Sequence, residues 1–166
     1  MCKEIKELKF VNKSPNPDPS FAHIGDSGFD LRAWINGNDT NADQNKKGEW
    51  FIELEPFETR LFHTGLYFSL PHHTEIQVRT RSGLALEKQL VVTNSPGTVD
   101  EYYTNEVGVI ITNLSKEKRI ITNGDRIAQG VLCEVLNNPL TKLIKVDKIG
   151  ENEYRNKNGF GSSGVK

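Results

Sequence analysis

Arg81, Ser82 and Gly83 form the first group of residues whose types and spacing could do chemistry. A strand pattern ends at Arg79, and the serine and glycine then open a short run of good helix formers. Backbone N–H groups at a helix N-terminus carry partial positive charge and suit an anion, and the guanidinium and hydroxyl would add donors. The alternative is a plain N-cap beside a surface arginine, because serine is a common cap.

A second group follows the Pro96-Gly97 turn, where Asp100 and Tyr103 lie among apolar and aromatic neighbours. The aspartate could act as a general base toward a water, or it could bond its own backbone as a turn residue. Tyr103 could stack on a ring, although packing within a sheet is the commoner fate of a tyrosine. The segment is therefore a candidate for catalysis and ligand binding, with a structural turn as the alternative.

Two more polar side chains fall within apolar strand patterns. A period of two residues places Gln129 on one face with Ile127, Val131, Cys133 and Val135. A buried amide without partners costs about 1–3 kcal/mol, so Gln129 either bonds across the sheet or lines a site that holds water or phosphate. Asp30 alternates with apolar neighbours, which is ordinary for an outward-facing carboxylate.

Short strands separated by turn residues must position these groups. Alternating or β-branched runs predict strands over residues 29–35, 50–54, 59–68, 75–79, 107–111, 119–121, 127–135 and 143–146. Residues 82–88 favour a helix of about two turns at most. The Asn-, Asp- and Lys-rich run over residues 36–48 predicts a surface loop between two strands. Many short strands at near-regular spacing predict an all-β sandwich, jelly roll or barrel.

Length and composition exclude several classes of protein. The 166 residues suffice for one domain, and a net charge of −1 without a long Lys/Arg block does not favour nucleic-acid binding. Cys2 and Cys133 have neither metal-ligand nor disulfide spacing, and Cys133 is expected to be a small core residue. His72-His73 is most simply a turn. No apolar segment is long enough to span a membrane and the N-terminus has no secretory h-region, so a cytoplasmic protein is expected.

The last stretch, residues 150–166, has a composition unlike the rest of the chain. Its four glycines lie among serine and asparagine residues and surround Arg155 and Phe160. A disordered end is the usual fate of a terminus. An arginine and a phenylalanine inside a Gly/Ser matrix favour instead an arm that folds over a ligand. We therefore expect a β domain over residues 1–149 and an arm over residues 150–166.

Taken in order, five segments resemble the five motifs of the trimeric dUTPase family. They are SGFDLRA (27–33), RSGLA (81–85), GTVDEYY (97–103), GDRIAQ (124–129) and the Gly- and Ser-rich run over 155–164. Each motif alone is weak, but five in the right order across nearly the whole chain are a strong signal. The resemblance implies a distorted jelly-roll or β-clip barrel with one short helix and a Gly-rich C-terminal arm that closes over an active site.

The resemblance also implies a threefold homotrimer with active sites between its subunits. One subunit would give motifs one, two and four to a site, a second would give motif three, and the third would give the arm. The implied reaction is hydrolysis of dUTP to dUMP and pyrophosphate by attack of water on the α-phosphorus, with Mg²⁺ held mainly by the substrate. Such an enzyme keeps uracil out of DNA and supplies dUMP for thymidylate synthesis.

The resemblance gives each candidate residue a role. Asp100 would activate the attacking water, with Gln129 nearby, and Asp30 would contact the metal through water. The residues implied in phosphate binding are Arg81, Ser82, Gly83, Gln129, Arg155, Ser162 and Ser163. The residues implied in binding uracil and deoxyribose are Asn94, Gly97, Thr98, Val99, Tyr103 and Phe160.

The chain departs from the family pattern at five positions: Tyr102, Thr104 and Asn105 in motif three, and Asn156 and Asn158 in motif five. Since the base, the arginines and the stacking ring are retained, activity is expected. A dCTP deaminase shares the fold, but the Gly83-Leu84-Ala85 that follows Arg-Ser favours a dUTPase. The alternative from another functional class is a nucleotide-gated regulatory protein that binds its nucleotide without hydrolysing it, and the 36–48 loop could carry its partner contact.

Overall fold

The computed structural model describes residues 5–138 and 140–148, which fold almost entirely into short strands. These are β1 (Lys9–Asn12), β2 (Phe29–Arg32), β3 (Ala42–Gln44), β4 (Trp50–Leu54), β5 (Thr59–Phe62), β6 (Leu66–Ser69), β7 (Thr74–Arg79), β8 (Leu90–Val92), β9 (Gly97–Val99), β10 (Val109–Asn113), β11 (Arg119–Thr122) and β12 (Arg126–Glu134). A short helical segment, Leu84–Lys88, lies between β7 and β8. None of the helical structure in this part of the chain is long and apolar enough to cross a membrane.

The strands pair antiparallel in four small sheets, with the orders β1-β6, β5-β10-β8, β11-β4-β3 and β2-β12-β7-β9. Most neighbours in a sheet are distant in sequence, as in β12, which lies between β2 and β7. Such crossovers are typical of sandwiches and jelly rolls rather than of simple meanders. The all-β prediction is confirmed, and the arrangement is jelly-roll-like.

One apolar core holds the sheets together. The strands β7 and β10 alternate strictly between buried and half-buried residues, so each presents one face to the core. The largest fully buried side chains are contributed by eight different strands and by the segments that flank them, and they include Phe62, Leu31, Ile35, Leu54, Ile76 and Ile111. Full burial of each such side chain stabilises the fold by about 1.5–3 kcal/mol before entropy is counted.

The sequence placed several elements correctly and misplaced others. The expected strand over 59–68 is two strands, because the chain turns at Gly65, whose φ of +70° only glycine adopts readily. The expected loop over 36–48 contains β3, which pairs with β4. The expected strand over 143–146 is wrong: these residues are exposed and form no strand. The short helix expected over 82–88 is confirmed: a helical turn at Ser82 and Gly83 leads into Leu84–Lys88, where the Gln89 N–H reaches the Leu84 carbonyl five residues back.

Strand β12 carries two polar side chains, Arg126 and Gln129, on the face away from the core. Its pairing with β2 shifts register between Arg126 and Ala128, so both Ile127 and Ala128 are buried. Beyond this bulge, Gly130 faces the core, where an added Cβ would lie 2.6 Å from the Phe29 ring. Gln129 therefore points to the opposite face. Bulges commonly re-aim a side chain beside a functional site.

Candidate active site

A polar pocket of about 290 Å³ opens on the outer face of the sheet formed by β2, β12, β7 and β9. It is lined on one side by the segment that precedes β2, including Asp26, Ser27 and Gly28. The side chains that give it its chemistry are Asp30, Arg79, Arg81, Arg126 and Gln129. Motifs one, two and four of the sequence thus meet at a single place in one chain.

Strand register brings three of these residues into a row. Gln129 of β12 lies opposite Asp30 of β2 on one side and opposite Arg79 of β7 on the other. Directly opposed residues on neighbouring strands share a face. The sequence therefore predicted the wrong surroundings for Gln129, which lies between an aspartate and an arginine instead of on an apolar face.

Gln129 is held in place by two features of the backbone. Its amide Nε2 donates to the Thr80 carbonyl at 3.3 Å. Its Oε1 lies 3.3 Å from where a Cβ of Gly28 would be, so the glycine of motif one leaves just enough room for this side chain. The amide oxygen therefore remains directed into the pocket and can accept a hydrogen bond from a ligand or water.

Asp30 is an ion-paired carboxylate rather than the plain outward one that its sequence pattern indicated. Arg81 Nε lies 3.0 Å from Oδ1, and Arg126 Nη1 lies 3.3 Å from Oδ2. The Asp30 side chain is 23% exposed, so water and ions still reach it. The carboxylate holds both guanidiniums at the rim of the pocket.

The lining has an excess of positive charge. Arg79, Arg81 and Arg126 stand against two aspartates, Asp26 and Asp30. Converging guanidiniums offer fork-shaped donor sets that fit phosphate oxygens, and a near-neutral protein can bind a small anion where its arginines meet. Sequence reasoning missed Arg79 and Arg126 as site residues. Two signals could have found them. Arg79 lies next to Gln129 in the strand register, and Arg126 directly follows a Gly-Asp turn.

Ser82 and Gly83 lie at the start of the short helical segment beside Arg81, and both are exposed. The Ser82 hydroxyl makes no hydrogen bond within the described ranges. An added Cβ at Gly83 would meet nothing within 4 Å, so the chain is open to solvent here. A ligand in the pocket can approach this backbone closely.

The candidate base-binding residues lie in a segment over residues 94–103, which we name the Asp100 hairpin, and its strand β9 pairs with β7 at the other edge of the same sheet. Gly97 is buried, and an added Cβ would lie 3.0 Å from Asn94 Nδ2, so the side chain of Asn94 rests against the glycine. Thr98 is exposed while Val99 is buried. Tyr103 folds back over the turn: its N–H donates to the Asp100 carbonyl at 3.0 Å, and its hydroxyl donates to the Glu106 carbonyl at 3.0 Å.

Asp100 does not lie in the pocket that Arg79, Arg81 and Arg126 of its own chain line, which we name the arginine pocket. Val99 opposes Ile76 on β7, whereas Gln129 opposes Arg79. Val99 and Gln129 are therefore separated by three residues along β7 and by two strand spacings, which amounts to roughly 14 Å. Asp100 lies one residue further from Gln129. The structure therefore brings together Asp30, Arg81 and Gln129 but leaves Asp100 and the hairpin apart from them.

The acid next to Asp100 is unusual electrostatically. The pKa of Glu101 is lowered to about 2 because the His73 backbone N–H, the His72 ring and the Asn137 amide all donate to its carboxylate. The Tyr102 hydroxyl interacts with the same acid, which raises the pKa of that tyrosine.

Cys133, expected in the core, is only half-buried and lies 3.7 Å from Arg79 Nη2.

Four candidate residues, Arg155, Phe160, Ser162 and Ser163, lie outside the described residues together with the arm over 150–166. Within the described ranges no group of three His, Cys, Asp or Glu side chains could hold a metal ion. The pocket offers two carboxylates, Asp26 and Asp30, and one amide oxygen, Gln129. This donor set fits a Mg²⁺ that arrives on a polyphosphate, because such an ion keeps several waters and needs few protein ligands.

Comparison with known proteins matches this chain to one family. Residues 51–164 match the family model described as dUTPase. The deoxyuridine 5'-triphosphate nucleotidohydrolase of Finegoldia magna is 39% identical over 158 residues, which cover 95% of this chain and 99% of the relative. The enzyme of that name from Cytophaga hutchinsonii is 40% identical over 157 residues, covering 95% and 91%.

Solved structures agree with the fold. The dUTPase of Staphylococcus bacteriophage 80alpha, solved with dUPNHPP, has a TM-score of 0.74 at 23% identity and covers 97% of this chain and 100% of its own. A mutant dUTPase from phage phi11 of S. aureus, whose structure shows coordination of a structural Mg(II) ion, has a TM-score of 0.66 at 20% identity, covering 86% and 100%. The family model covers more than half of this chain and the relatives approach 40% identity, so the chain belongs to the dUTPase family.

Proposed function

We propose that the protein hydrolyses dUTP to dUMP and pyrophosphate at a site built from the arginine pocket and from the Asp100 hairpin of a second subunit. The observation that carries this proposal is the meeting of Asp30, Arg81, Arg126 and Gln129 in one polar pocket of a dUTPase-family chain. A triphosphate is the part of dUTP that needs such a cluster of guanidiniums.

The pocket binds the phosphates. Arg81, Ser82 and Gly83 supply a guanidinium fork, a hydroxyl and an open stretch of backbone, and Arg79 and Arg126 add positive charge. Gln129 directs its amide oxygen toward the attacking water or a phosphate-bound proton. Fixed donors aimed at the phosphoryl oxygens stabilise charge in the transition state without reorganising at the moment of reaction.

Asp100 acts as the general base. Its carboxylate accepts a proton from water while the water oxygen attacks the α-phosphorus in line with the departing pyrophosphate. One P–O bond forms and the bond to the bridging oxygen breaks, so dUMP and pyrophosphate are the two products. The side chain of Asp100 is exposed, as a residue that must meet a substrate on another subunit has to be.

The hairpin reads the nucleoside. The side chain of Asn94 and the main chain of Gly97, Thr98 and Val99 bind the uracil edge, and a close main-chain approach can reject a methyl group more sharply than a soft apolar pocket. Tyr103, held by its bond to the Glu106 carbonyl, packs against deoxyribose and leaves no space for a 2′-hydroxyl.

The arm completes the site. Phe160 covers the base, and Arg155, Ser162 and Ser163 bind the terminal phosphates. Closure of such a segment excludes water and commits the substrate. Because the arm is rich in glycine, it can wrap closely around the triphosphate.

The homotrimer is part of the proposal. In one chain Val99 lies roughly 14 Å from Gln129, which is too far for a base and a phosphate pocket that serve one phosphorus atom. A cyclic trimer brings the hairpin of one subunit to the pocket of the next and repeats this contact three times. We also propose that the enzyme works in the cytoplasm on free nucleotides.

Mg²⁺ belongs to the substrate side of the site. Asp30 would contact it through water, and the substrate phosphates would supply its other ligands. When bound, the ion neutralises part of the triphosphate charge. The protein residues carry out the remaining tasks: the arginines bind, Gln129 orients, and Asp100 moves the proton.

The test is turnover of dUTP by the purified protein with Mg²⁺. We expect dUMP and pyrophosphate in equal amounts, and a loss of about 10²–10⁴-fold in kcat for Asp100→Asn, the range of a general base. Asp43→Asn, an exposed aspartate on β3, is the matched control and keeps full activity. Intact dUTP, or ammonia released from dCTP, would contradict the proposal.

A further inference from the structure

Glu101 is a nearly buried acid that none of the roles above explains. Its side chain is 6% exposed and accepts three hydrogen bonds. His73 N and Asn137 Nδ2 each donate to Oε2 at 2.9 Å, and His72 Nδ1 lies 2.6 Å from Oε1. The acid thus connects the segment after β9 to the turn between β6 and β7 and to the segment after β12.

The residue before it, Asp100, has little to hold its own position. Within the described ranges its carboxylate makes no hydrogen bond or ion pair, and the side chain is exposed. Strand β9 fixes the chain up to Val99, through its pairing with Ile76. On the far side of Asp100, the peptide is fixed by the bond of Tyr103 N–H to the Asp100 carbonyl and by the anchored carboxylate of Glu101.

We propose that Glu101 is a positioning residue for the general base Asp100, which it keeps in place by tying the adjacent peptide to His72, His73 and Asn137. The inference rests on the proposed function, since it takes Asp100 as the base. A base must keep its geometry closely, because a displacement of about 1 Å can cost 10²-fold in rate. With its own carboxylate directed outward, Asp100 depends on its neighbours for that precision.

The three contacts are strongest with a carboxylate, because hydrogen bonds to a charged acceptor are stronger than those to a neutral one. The pKa of Glu101 is lowered to about 2, so the group is ionised at any pH at which the enzyme would work. A glutamine at this position has nearly the same shape but only one acceptor oxygen. With its NH₂ group toward His73 and Asn137 it would lose both of their bonds, and with its NH₂ group toward His72 Nδ1 it would offer the other two donors only a neutral oxygen, so the contacts are lost or weakened and the segment is held less firmly.

The experiment compares Glu101→Gln with Glu58→Gln. Glu58, in the turn between β4 and β5, also accepts three bonds, from the Glu55 N–H and from Nε and Nη2 of Arg60, and it lies outside the proposed site. We measure kcat and KM for dUTP and the unfolding temperature of each variant. For Glu101→Gln we expect kcat to fall by about 10–100-fold with KM changed less than about twofold. Glu58→Gln loses comparable thermal stability and keeps its kcat.

A kcat within twofold of the unmodified protein in folded Glu101→Gln would overturn the inference. So would an equal fall in kcat in both variants, since that would indicate a general loss of structure. If Glu101→Gln does not fold, Asn137→Ala removes one donor, and kcat should then fall by about 2–10-fold, the range of a single hydrogen bond, at constant KM. An unchanged kcat in that variant overturns the inference as well.

Asp100→Asn separates this inference from the proposal on which it rests. If Asp100→Asn keeps its kcat, the assignment of the base is wrong whatever Glu101 does. If Asp100→Asn is inactive and Glu101→Gln is fully active, the base assignment stands and the positioning role fails.

Discussion

Asp30 shows how much of a single residue's character depends on partners that its own sequence segment does not contain. Its local pattern indicated an ordinary surface carboxylate, yet two guanidiniums from β12 and from the segment after β7 lie 3.3 and 3.0 Å away. Gln129 is similar, because its neighbours Asp30 and Arg79 come from other strands. Residue types and motif order could be predicted from the sequence, whereas pairings across 50 or more positions required the register of the sheet.

Glu101 gives a prediction for acid stability. Its pKa is about 2 in the folded protein and 4.5 ordinarily, so the unfolded chain takes up the proton first as the pH falls. The stabilisation from this carboxylate is therefore present above pH 4.5 and is lost as the pH falls toward 2. Urea unfolding of the unmodified protein and of Glu101→Gln should show a difference in free energy at neutral pH that disappears toward pH 2. A difference that does not change with pH would contradict this account.

Strand β12 is the element on which both the core and the site depend. One face packs Gly130 against Phe29, and the other carries Gln129 and lines the pocket. Its strand pattern was clear in the sequence, but the bulge between Arg126 and Ala128 was not, because nothing in the local composition marks it. The strand expected over 143–146 failed for the opposite reason: β-branched residues were present, but within residues 5–138 and 140–148 no neighbouring strand pairs with them.

The close packing of β12 can be tested with Gly130→Ala. The new Cβ would lie 2.6 and 2.7 Å from two carbons of the buried Phe29 ring, so the ring or the strand must move. We expect a loss of roughly 1–3 kcal/mol in the free energy of unfolding, measured with urea. Gly83→Ala is the control: it meets nothing within 4 Å in a helical conformation, and it should leave stability equal or higher. Equal stability of Gly130→Ala and the unmodified protein would contradict the described packing.

At the scale of the whole molecule, the described chain holds the two parts of the proposed catalytic site on separate parts of its surface. The arginine pocket and the Asp100 hairpin belong to the same four-stranded sheet but lie at different places on it. The fold class and the family could be predicted from the order of the sequence motifs. The division of the proposed site between subunits could be expected only from the resemblance to the dUTPase family. A sequence alone does not show whether a residue will contact its own chain or another copy of it.

Subunit complementation tests the shared site most directly. Arg81→Ala and Asp100→Asn are each expected to be inactive, and equal amounts of the two are co-refolded, with the assembly mass checked by light scattering. If Arg81 and Asp100 serve a site from different subunits, about a quarter of the sites in randomly mixed trimers contain both native residues, and activity returns to that level. If the mixture stays as inactive as its two components while forming trimers, Arg81 and Asp100 do not meet across subunits and the central claim is wrong.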